Sequence, residues 1–508
     1  MNKNGLLLGA LLLLVILLGF VTFQAMNESG GPGMNREGQP MMTESDNANE
    51  GVEFLDTESR NGGGNPLPIP PVLEDENPEE GKAEFSLIAQ KGETEFYDGQ
   101  TAETYGYNGN YLGPVIRVRE GDDVTVNVEN ALDEETTVHW HGLEVPGEAD
   151  GGPHSAILPG DTWHPEFEIK QPASTLWFHP HPHLKTGEQV YKGLAGLLLI
   201  EDEVSDSLDI PKDYGENDIP LIVQDKAFKS DGTFDYNPGM HDIMTGLHGN
   251  IPLINGAVDP YIEVPQGKMR FRVLNGSNAR TYDFELSDNQ PFHQIASDGG
   301  FLEAPVEMNR LTLSSAERAE IIIDFSEYEA GDTVSFSDNG TRLMQFKVAD
   351  EEGIQAELPE QLTEIERLDP KEADVTRQFT LGGMGPNVNI NGRQMDMNRM
   401  DEEVNLNDIE IWEISNDSGG MMGGMMNGMG GMGGTIHPFH IHGIQFQVLD
   451  RNGNPPTENE KGWKDTVLIG EDETVRIIAK FTEPGVFMYH CHILEHEDAG
   501  MMGQFEVK

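Results

Sequence analysis

The feature that most constrains the fold is a short stretch near the end of the chain, which holds the only cysteine among 508 residues. His490 and His492 flank Cys491, and His496 and Met501 follow shortly after. Side chains on a β-strand alternate between its two faces, so a strand here would point both flanking histidines one way and the cysteine the other. The stretch therefore predicts one strand that contacts two metal centres, joined covalently through the cysteine backbone.

Pairs of histidines separated by one residue occur four times in the chain. On a strand, each pair puts two imidazoles on one face, as neighbouring metal ions that share ligands require. One such pair is weak evidence, but two early pairs and two late pairs indicate a common site. The pairs are His139 and His141, His179 and His181, His440 and His442, and His490 and His492.

A second set of candidate ligands surrounds the cysteine. Its members are His437, Cys491, His496 and Met501. Two imidazoles, a thiolate and a thioether form the ligand set of a blue-copper electron-transfer centre with a weak axial methionine. Zinc also binds histidine and cysteine, but a structural zinc site has little use for a thioether or for further histidines nearby. The set therefore favours copper.

Composition and turns indicate an all-β protein. With 59 glycines, 30 prolines and many short Val/Ile/Thr/Phe runs that end at turn residues, the chain favours β-sandwiches over helical bundles. An Asn-Gly turn followed by strands recurs at Asn108, Asn255 and Asn391, about 140 residues apart, which predicts three copies of one Greek-key sandwich. We expect domains at residues 83–208, 209–355 and 372–508.

The beginning of the chain has a different character. Residues 6–23 form an apolar run preceded by Lys3, which is typical of a membrane-targeting segment. We expect residues 1–25 to be a signal peptide or an uncleaved membrane anchor, and the rest to be exported to the periplasmic or extracellular side. Residues 26–82, acidic and rich in Gly and Pro, predict a disordered linker.

The net charge is −57. Such a surface repels nucleic acid and anionic lipid and attracts cations, so nucleic acid is not an expected partner. A solvated acidic coat suited to a salty or acidic medium and a specific role in gathering cations both account for this charge.

Four motifs resemble the copper signatures of the multicopper oxidases. They are His139-Trp140-His141-Gly142, Trp177-Phe178-His179-Pro180-His181, His437-Pro438-Phe439-His440-Ile441-His442-Gly443, and His490-Cys491-His492 through Met501. Residues 142–148, 185–187, 274–280 and 462–466 are in turn similar to the bacterial copper-efflux oxidases of the cell envelope. The resemblance covers residues 83–508.

The resemblance implies three cupredoxin-like domains and four copper ions, one of type 1, one of type 2 and two of type 3. The type 1 ligands would be His437, Cys491, His496 and Met501. The type 2 ligands would be His139 and His440. The type 3 ligands would be His141, His179, His181, His442, His490 and His492. The cluster of three ions would lie between the first and third domains, with the second domain mainly a spacer.

The resemblance also implies an oxidase that uses O2 as its acceptor. A small reductant, Cu(I) or a phenolic or aromatic compound, would give single electrons through the edge of His437 or His496. The electrons would pass through Cys491 to the cluster, where O2 becomes water. Asp150 and Glu497 match acidic positions of the family, and we expect them to relay the protons that this reaction consumes. A monomer is expected.

A methionine- and glycine-rich stretch at residues 421–433 precedes His437. Its methionines are Met421, Met422, Met425, Met426, Met429 and Met432. Thioethers favour Cu(I), so the stretch is a possible accessory Cu(I) site, or it gates access for bulky organic compounds. A glycine loop with idle methionines is equally compatible. Relatives of the copper-efflux type carry their methionine-rich insertion earlier, near residues 361–374, where this chain has acidic and ordinary residues.

Two alternatives remain beside a copper-efflux oxidase. The first is a laccase-like phenol or Mn(II) oxidase with no role in copper homeostasis, which the ligand set does not distinguish. The second is a non-enzymatic envelope protein of the same fold, either copper-binding or copper-free. The presence of all twelve expected ligands speaks against a copper-free protein.

Overall fold

The computed structural model describes residues 64–416 and 436–508. The predicted signal or anchor segment and the methionine-rich stretch at residues 421–433 lie outside the described residues. Within residues 64–416 and 436–508, no helix is both long and apolar enough to cross a membrane.

The first β-sandwich has one sheet of order β2-β1-β4-β6, in which β7 also pairs with β4, and a second of order β3-β9-β8-β5. Its strands are β1 (Lys82–Tyr97), β2 (Gln100–Tyr107), β3 (Ile116–Arg119), β4 (Asp123–Asn130), β5 (His139–His141), β6 (Thr162–Trp163), β7 (Glu166–Glu168), β8 (Ser174–His179) and β9 (Gly196–Glu201). Helices α1 (Thr186–Lys192) and α2 (Glu203–Ser207) follow β8 and β9. Val124, Val126 and Val128 alternate along β4 and fill the core, as a half-buried strand requires.

The second β-sandwich has a sheet of order β12-β11-β10-β14-β19-β16-β17 and a sheet of order β13-β21-β20-β15-β18. Its strands are β10 (Asp218–Lys226), β11 (Ile251–Ile254), β12 (Ala257–Val258), β13 (Tyr261–Gln266), β14 (Lys268–Asn275), β15 (Tyr282–Leu286), β16 (Phe292–Ser297), β17 (Gly300–Met308), β18 (Leu311–Leu313), β19 (Arg318–Asp324), β20 (Thr333–Asp338) and β21 (Thr341–Glu352). Helix α3 (Met240–Thr245) lies between β10 and β11.

The third β-sandwich has sheets of order β23-β22-β25-β29-β27 and β24-β31-β30-β26-β28. Its strands are β22 (Val375–Gly382), β23 (Asn389–Ile390), β24 (Glu402–Val404), β25 (Ile409–Asn416), β26 (His437–Ile441), β27 (Phe446–Arg451), β28 (Thr466–Ile469), β29 (Thr474–Lys480), β30 (Gly485–Cys491) and β31 (Met502–Val507). It also contains helix α4 (Leu494–Asp498) and short 3₁₀ helices at Pro370–Glu372, Gly385–Asn387 and Glu458–Glu460.

The same strand pairings recur in each sandwich. The first strand of each pairs in parallel with a later strand of the same sheet, namely β1 with β4, β10 with β14, and β22 with β25. In the opposite sheet the last strand pairs in parallel with an early one, namely β9 with β3, β21 with β13, and β31 with β24. The prediction of an all-β fold built from three related sandwiches is confirmed.

The asparagines of the Asn-Gly turns make the same contacts in all three sandwiches. Asn108, Asn255 and Asn391 have φ of 55°, 51° and 53°, a left-handed conformation that asparagine tolerates better than most residues. Each side-chain oxygen accepts a backbone N–H of the first strand, from Ile88 at 2.6 Å, Ile222 at 2.7 Å and Thr380 at 2.8 Å respectively. The turn chemistry that revealed the repeat in the sequence therefore fixes one corner of each sandwich.

The end of the predicted linker is ordered, so the prediction of disorder up to residue 82 is wrong for residues 64–82. Residues 64–73, which we name the N-terminal strap, cross two sandwiches. The N–H of Leu67 donates to the carbonyl of Tyr261 (2.7 Å), and that of Leu73 to the carbonyl of Val115 (2.8 Å). Leu67 is buried in the core of the second sandwich. The prolines keep this segment extended, as predicted. The apolar residues between them pack against the sandwiches and thereby order it.

Candidate metal centres

His437, Cys491, His496 and Met501, which we name the cysteine group, come together inside the third sandwich. His437 begins β26 and Cys491 ends the neighbouring strand β30, while His496 lies in α4. The Cys491 Sγ lies 3.4 Å from His437 Nδ1 and 3.7 Å from His496 Nδ1. Met501 is fully buried, and its carbonyl accepts the N–H of Cys491 at 3.1 Å. The three donor atoms of His437, Cys491 and His496 are close enough to share one metal ion.

Burial sets the protonation of the cysteine group. It lowers the pKa of His437 to about 3, with a contribution from neighbouring His496, and it lowers the pKa of His496 to about 4. Both imidazoles are therefore neutral and present a lone pair at ordinary pH. Burial also raises the pKa of the Cys491 thiol. Since a soft cation displaces the thiol proton and accepts imidazole lone pairs, this donor set fits copper.

The eight members of the four histidine pairs, which we name the histidine group, are buried between the first and third sandwiches. In the first sandwich, His139 of β5 stands directly opposite His179 of β8. In the third, His440 of β26 stands opposite His490 of β30. Each sandwich thus presents two adjacent strands with histidines toward the other. Cys491 lies in the cysteine group while its neighbours belong to the histidine group.

Ring nitrogens of the histidine group approach one another closely. The Nε2 atoms of His139 and His440 are 3.5 Å apart, those of His181 and His490 are 3.3 Å apart, and those of His442 and His490 are 3.1 Å apart. The Nδ1 of His141 lies 3.4 Å from the Nε2 of His179. Burial lowers the pKa of seven of these rings, that of His490 to about 3.

Hydrogen bonds on the far side of the rings indicate which ring nitrogens carry a proton. The Nδ1 of His139 lies 3.0 Å from the carbonyl oxygen of Asp150, and that of His440 lies 2.8 Å from the carbonyl oxygen of Asp465. A carbonyl can only accept, so each Nδ1 carries the proton and each Nε2 presents a lone pair. Two facing lone pairs cannot bond to each other, whereas a metal ion between them would satisfy both.

The rings of His442 and His490 form a second pair whose outer nitrogens face oxygen atoms. The Nδ1 of His442 lies 2.9 Å from the carboxylate of Asp150, and that of His490 lies 3.1 Å from the carbonyl of Cys491. The Nε2 atoms of these two rings therefore also face each other with lone pairs. The buried Nε2 of His492 has no hydrogen-bond partner among the described residues. The residues present thus fit a group of copper ions, because imidazole suits copper and the outer nitrogens are held.

Both acids predicted as proton relays lie against this group, and each reaches both sandwiches. The Oδ2 of Asp150 is 2.9 Å from His442 Nδ1 and 3.5 Å from His139 Nδ1. Glu497 is 3.3 Å from the Nδ1 of His181 and 3.2 Å from that of His490. Burial raises the pKa of Glu497, and neighbouring Asp498 adds to this rise. Both acids are therefore close enough to the ring nitrogens to orient the rings.

The second sandwich does more than space the other two, so that expectation is wrong. The Ser315 hydroxyl donates to the carbonyl of His492 and lies 3.3 Å from its Nδ1. Arg318 binds Asp465, whose carboxylate lies 3.0 Å from His141 Nε2. In the sequence, Asp465 is distinguished only as part of residues 462–466, and no pattern there predicts its contact with His141. Ser315 and Arg318 belong to none of the motifs.

Helix α3 of the second sandwich also reaches the cysteine group. The Nε2 of His496 donates to the carbonyl of Met244 at 3.3 Å. His496 is completely buried, whereas His437 remains 5% exposed next to the exposed residue Ile436. Of the two ring edges predicted as entry points for electrons, that of His437 is therefore nearer to solvent.

Comparisons with known proteins agree with this arrangement. The family described as "Multicopper oxidase" matches residues 89–205 and again residues 367–508. The chain is 43% identical over 445 residues to multicopper oxidase mco of Staphylococcus aureus, covering 88% of this chain and 93% of that relative. It is 36% identical over 468 residues to cell division protein FtsP of Escherichia coli (strain K12), covering 87% and 92%.

Solved structures are similar over the same range. A laccase from Pediococcus acidilactici Pa5930 superposes with a TM-score of 0.83 and 41% sequence identity. The match covers 88% of this chain and 94% of that one. The likeness thus extends over most of the chain.

Proposed function

This chain belongs to the multicopper oxidase family, and we propose that it oxidises a small reductant one electron at a time while reducing O2 to water. The observation that carries this proposal is that the end of β30 supplies metal-ligand candidates to both the cysteine group and the histidine group. The cysteine group and the histidine group meet at His490, Cys491 and His492, and the imidazole lone pairs of the histidine group face one another.

We assign the metal ligands as the resemblance implies. His437, Cys491, His496 and Met501 would hold the type 1 ion. His139 and His440 would hold the type 2 ion, and His141, His179, His181, His442, His490 and His492 the type 3 pair. Copper, when bound there, would supply reversible one-electron chemistry and the place where O2 is reduced.

The chain's own residues supply the routes. The edge of His437 is the contact for the reductant, because Met244 covers His496. The backbone from Cys491 to His490 and His492 joins both groups covalently and gives electrons a short path. Asp150 and Glu497 lie against ring nitrogens of both sandwiches on the outer side of the histidine group. From there they would pass on the protons that the reduction of O2 consumes.

The test is a measurement of copper content and electron balance on the full chain. We expect four copper ions per chain, four electrons consumed per O2, and no hydrogen peroxide released. Removing copper with a chelator should abolish O2 uptake, and adding copper back should restore it. Release of peroxide, or a chain that holds copper without consuming O2, would contradict the proposal.

The same preparation distinguishes the reductants. We propose that Cu(I) and phenolic compounds both serve, and that the methionine-rich stretch assists Cu(I). Deleting residues 421–433 should then lower the rate with Cu(I) several-fold and leave the rate with a phenol unchanged. If the deletion spares Cu(I) oxidation and the phenol is always faster, a laccase-like phenol oxidase is the better description. Mn(II) serves as a third substrate in the comparison.

A non-enzymatic role is the second candidate, because relatives named cell division protein FtsP are 36% identical to this chain. The ligand set argues for the oxidase, since a structural role alone does not need buried, unprotonated imidazoles with facing lone pairs. The copper and O2 measurements decide between the two.

A further inference from the structure

One histidine of the histidine group is turned the opposite way from the other seven. In seven of the rings, the Nδ1 atom lies near an oxygen atom outside the group. These rings are His139, His179, His181, His440, His442, His490 and His492. His141 instead directs Nε2 outward, at 3.0 Å from the Asp465 carboxylate, and points Nδ1 at His179 Nε2, 3.4 Å away. Something specific to this position must select that orientation.

The acceptor at His141 is Asp465, which precedes β28 in the third sandwich. Its Oδ1 lies 3.0 Å from His141 Nε2, and the hydroxyl of Thr466 donates to the same oxygen at 2.9 Å. The backbone carbonyl of Asp465 faces the Nδ1 of His440 at 2.8 Å. One residue therefore holds a ring from the first sandwich and a ring from the third. A carboxylate there fixes the proton of His141 on Nε2 and leaves a lone pair on Nδ1.

Asp465 is itself held by Arg318, the first residue of β19 in the second sandwich. The Nη1 and Nη2 atoms of Arg318 lie 2.8 and 2.7 Å from Oδ1 and Oδ2 of Asp465, a two-pronged contact. The other three N–H groups donate to backbone carbonyls. The acceptors are those of Thr175 at 3.0 Å, Ala316 at 3.2 Å and Asp298 at 3.0 Å. All five donors of the guanidinium are thus used, so its plane is fixed.

Stability alone does not explain so deeply buried a pair. The side chains of Arg318 and Asp465 are completely buried, and taking both charges out of water costs more than their attraction commonly returns. A well-packed apolar pair would serve packing as well. What the pair provides is a rigid acceptor from the second and third sandwiches at one ring nitrogen of His141, which belongs to the first.

We propose that Arg318 is a positioning residue of the histidine group. It holds Asp465 so that His141 presents Nδ1, rather than Nε2, to the metal site. The second sandwich thereby sets the geometry of a site whose ligands come from the other two. This assignment rests on the proposed function, since it concerns the binding of copper.

The experiment compares three variants of the full, copper-loaded chain. Arg318→Met removes the guanidinium, and Arg318→Lys keeps a positive charge without the planar fork. Arg272→Met is the matched control, because Arg272 is a buried arginine of the same sandwich that pairs with Asp218 at 2.7 Å and does not touch the histidine group. The readouts are copper retention against a chelator, the electron paramagnetic resonance spectrum, the visible absorption of the cysteine group and the melting temperature.

Arg318→Met should lower the copper affinity of the histidine group about 10–100-fold and change the resonance spectrum, while the visible band persists. Arg318→Lys should fold like the wild type and shift both readouts in the same direction. Arg272→Met should lower the melting temperature alone.

Unchanged affinity and spectrum in Arg318→Met would overturn the assignment, as would an equal loss in Arg272→Met or a wild-type spectrum in Arg318→Lys. If Arg318→Met does not fold, the lysine variant decides. A wild-type chain that binds no copper would overturn the proposed function as well. If the wild type binds copper and the Arg318 variants have the same copper affinity and resonance spectrum, only the role of Arg318 is overturned.

Discussion

The cysteine group and the histidine group are assembled in different ways. All members of the cysteine group come from the third sandwich, within residues 437–501, and two of them sit on neighbouring strands β26 and β30. The histidine group takes half of its members from each of two sandwiches and is held by acids that contact both. The ligands of the first group thus come from one sandwich, with one further contact from Met244 of the second. The second group depends on the contact between domains.

This difference teaches where each group is vulnerable. A change inside the cysteine group should act locally, because the core of the third sandwich surrounds it. The histidine group should instead respond to changes in those bridging residues that hold its rings, even where they are not ligands, and not to changes in bridging residues elsewhere. The following variants, in order of decreasing effect on turnover, test that contrast.

Cys491→Ser should abolish turnover and the intense visible band of a thiolate bound to copper, because the cysteine is the only thiolate and the covalent link between the groups. Copper should remain in the histidine group. The buried hydroxyl should cost about 1–3 kcal/mol of stability, too little to unfold the chain. Absorption spectroscopy and copper analysis check both statements. A variant that keeps its colour would break the contrast between the two groups.

Asp150→Asn should slow turnover about 10–100-fold with copper content retained, because it removes the carboxylate that lies 2.9 Å from His442 Nδ1. The measurement is O2 uptake across a range of pH. Asp133→Asn, at an exposed carboxylate of the same sandwich, is the control and should behave as wild type. Full activity of Asp150→Asn at every pH would remove this residue from the proton route.

Lys226→Met changes a residue between the first and second sandwiches that belongs to neither the cysteine group nor the histidine group. Lys226 ends β10, is completely buried, and places its Nζ 4.2 Å from the ring centre of Tyr191 in α1. Burial lowers the pKa of Lys226 from 10.5 to about 7, against the opposing effect of Asp225 and Glu495. Between these values the unfolded chain binds a proton that the folded chain does not, so the free energy of unfolding rises with pH over this window.

We expect Lys226→Met to leave turnover unchanged and to raise the free energy of unfolding at pH 7 by about 1–3 kcal/mol, because it removes a buried donor without a hydrogen-bond partner among the described residues. The rise in stability between pH 7 and 10.5 should become flatter in the variant. Unfolding of the copper-free chain at several pH values measures both effects, and Lys480→Met, at an exposed lysine, is the control. An unchanged slope would mean that Lys226 does not titrate in this window.

The sequence predicted the repeated parts of the molecule well. Three Asn-Gly turns predicted three sandwiches, because in each sandwich the turn asparagine makes the same hydrogen bond to the first strand. These asparagines are Asn108, Asn255 and Asn391. The spacing of His490, Cys491 and His492 placed the two groups on opposite sides of one strand, since alternation is a local property of strands.

The sequence did not predict contacts made across domains. Arg318 is an ordinary arginine at the start of a strand until the fold brings Asp465 to it from far along the chain. Met244 has no motif that would announce its contact with His496. Local composition also led to the wrong prediction of disorder for the N-terminal strap, because the apolar surface that orders Leu67 belongs to the second sandwich. Such contacts depend on tertiary packing rather than on any pattern within a segment.

The N-terminal strap has a consequence for the order of assembly. Its residue Pro66 pairs with Tyr261, so its docking site does not exist until the second sandwich has been synthesised. Domains fold one after another as the chain emerges, and the first sandwich forms before that point. A segment that precedes all three sandwiches in the sequence is therefore among the last to become ordered. Its docking acts as a late clasp, because it needs Val115 of the first sandwich and Tyr261 of the second in place together.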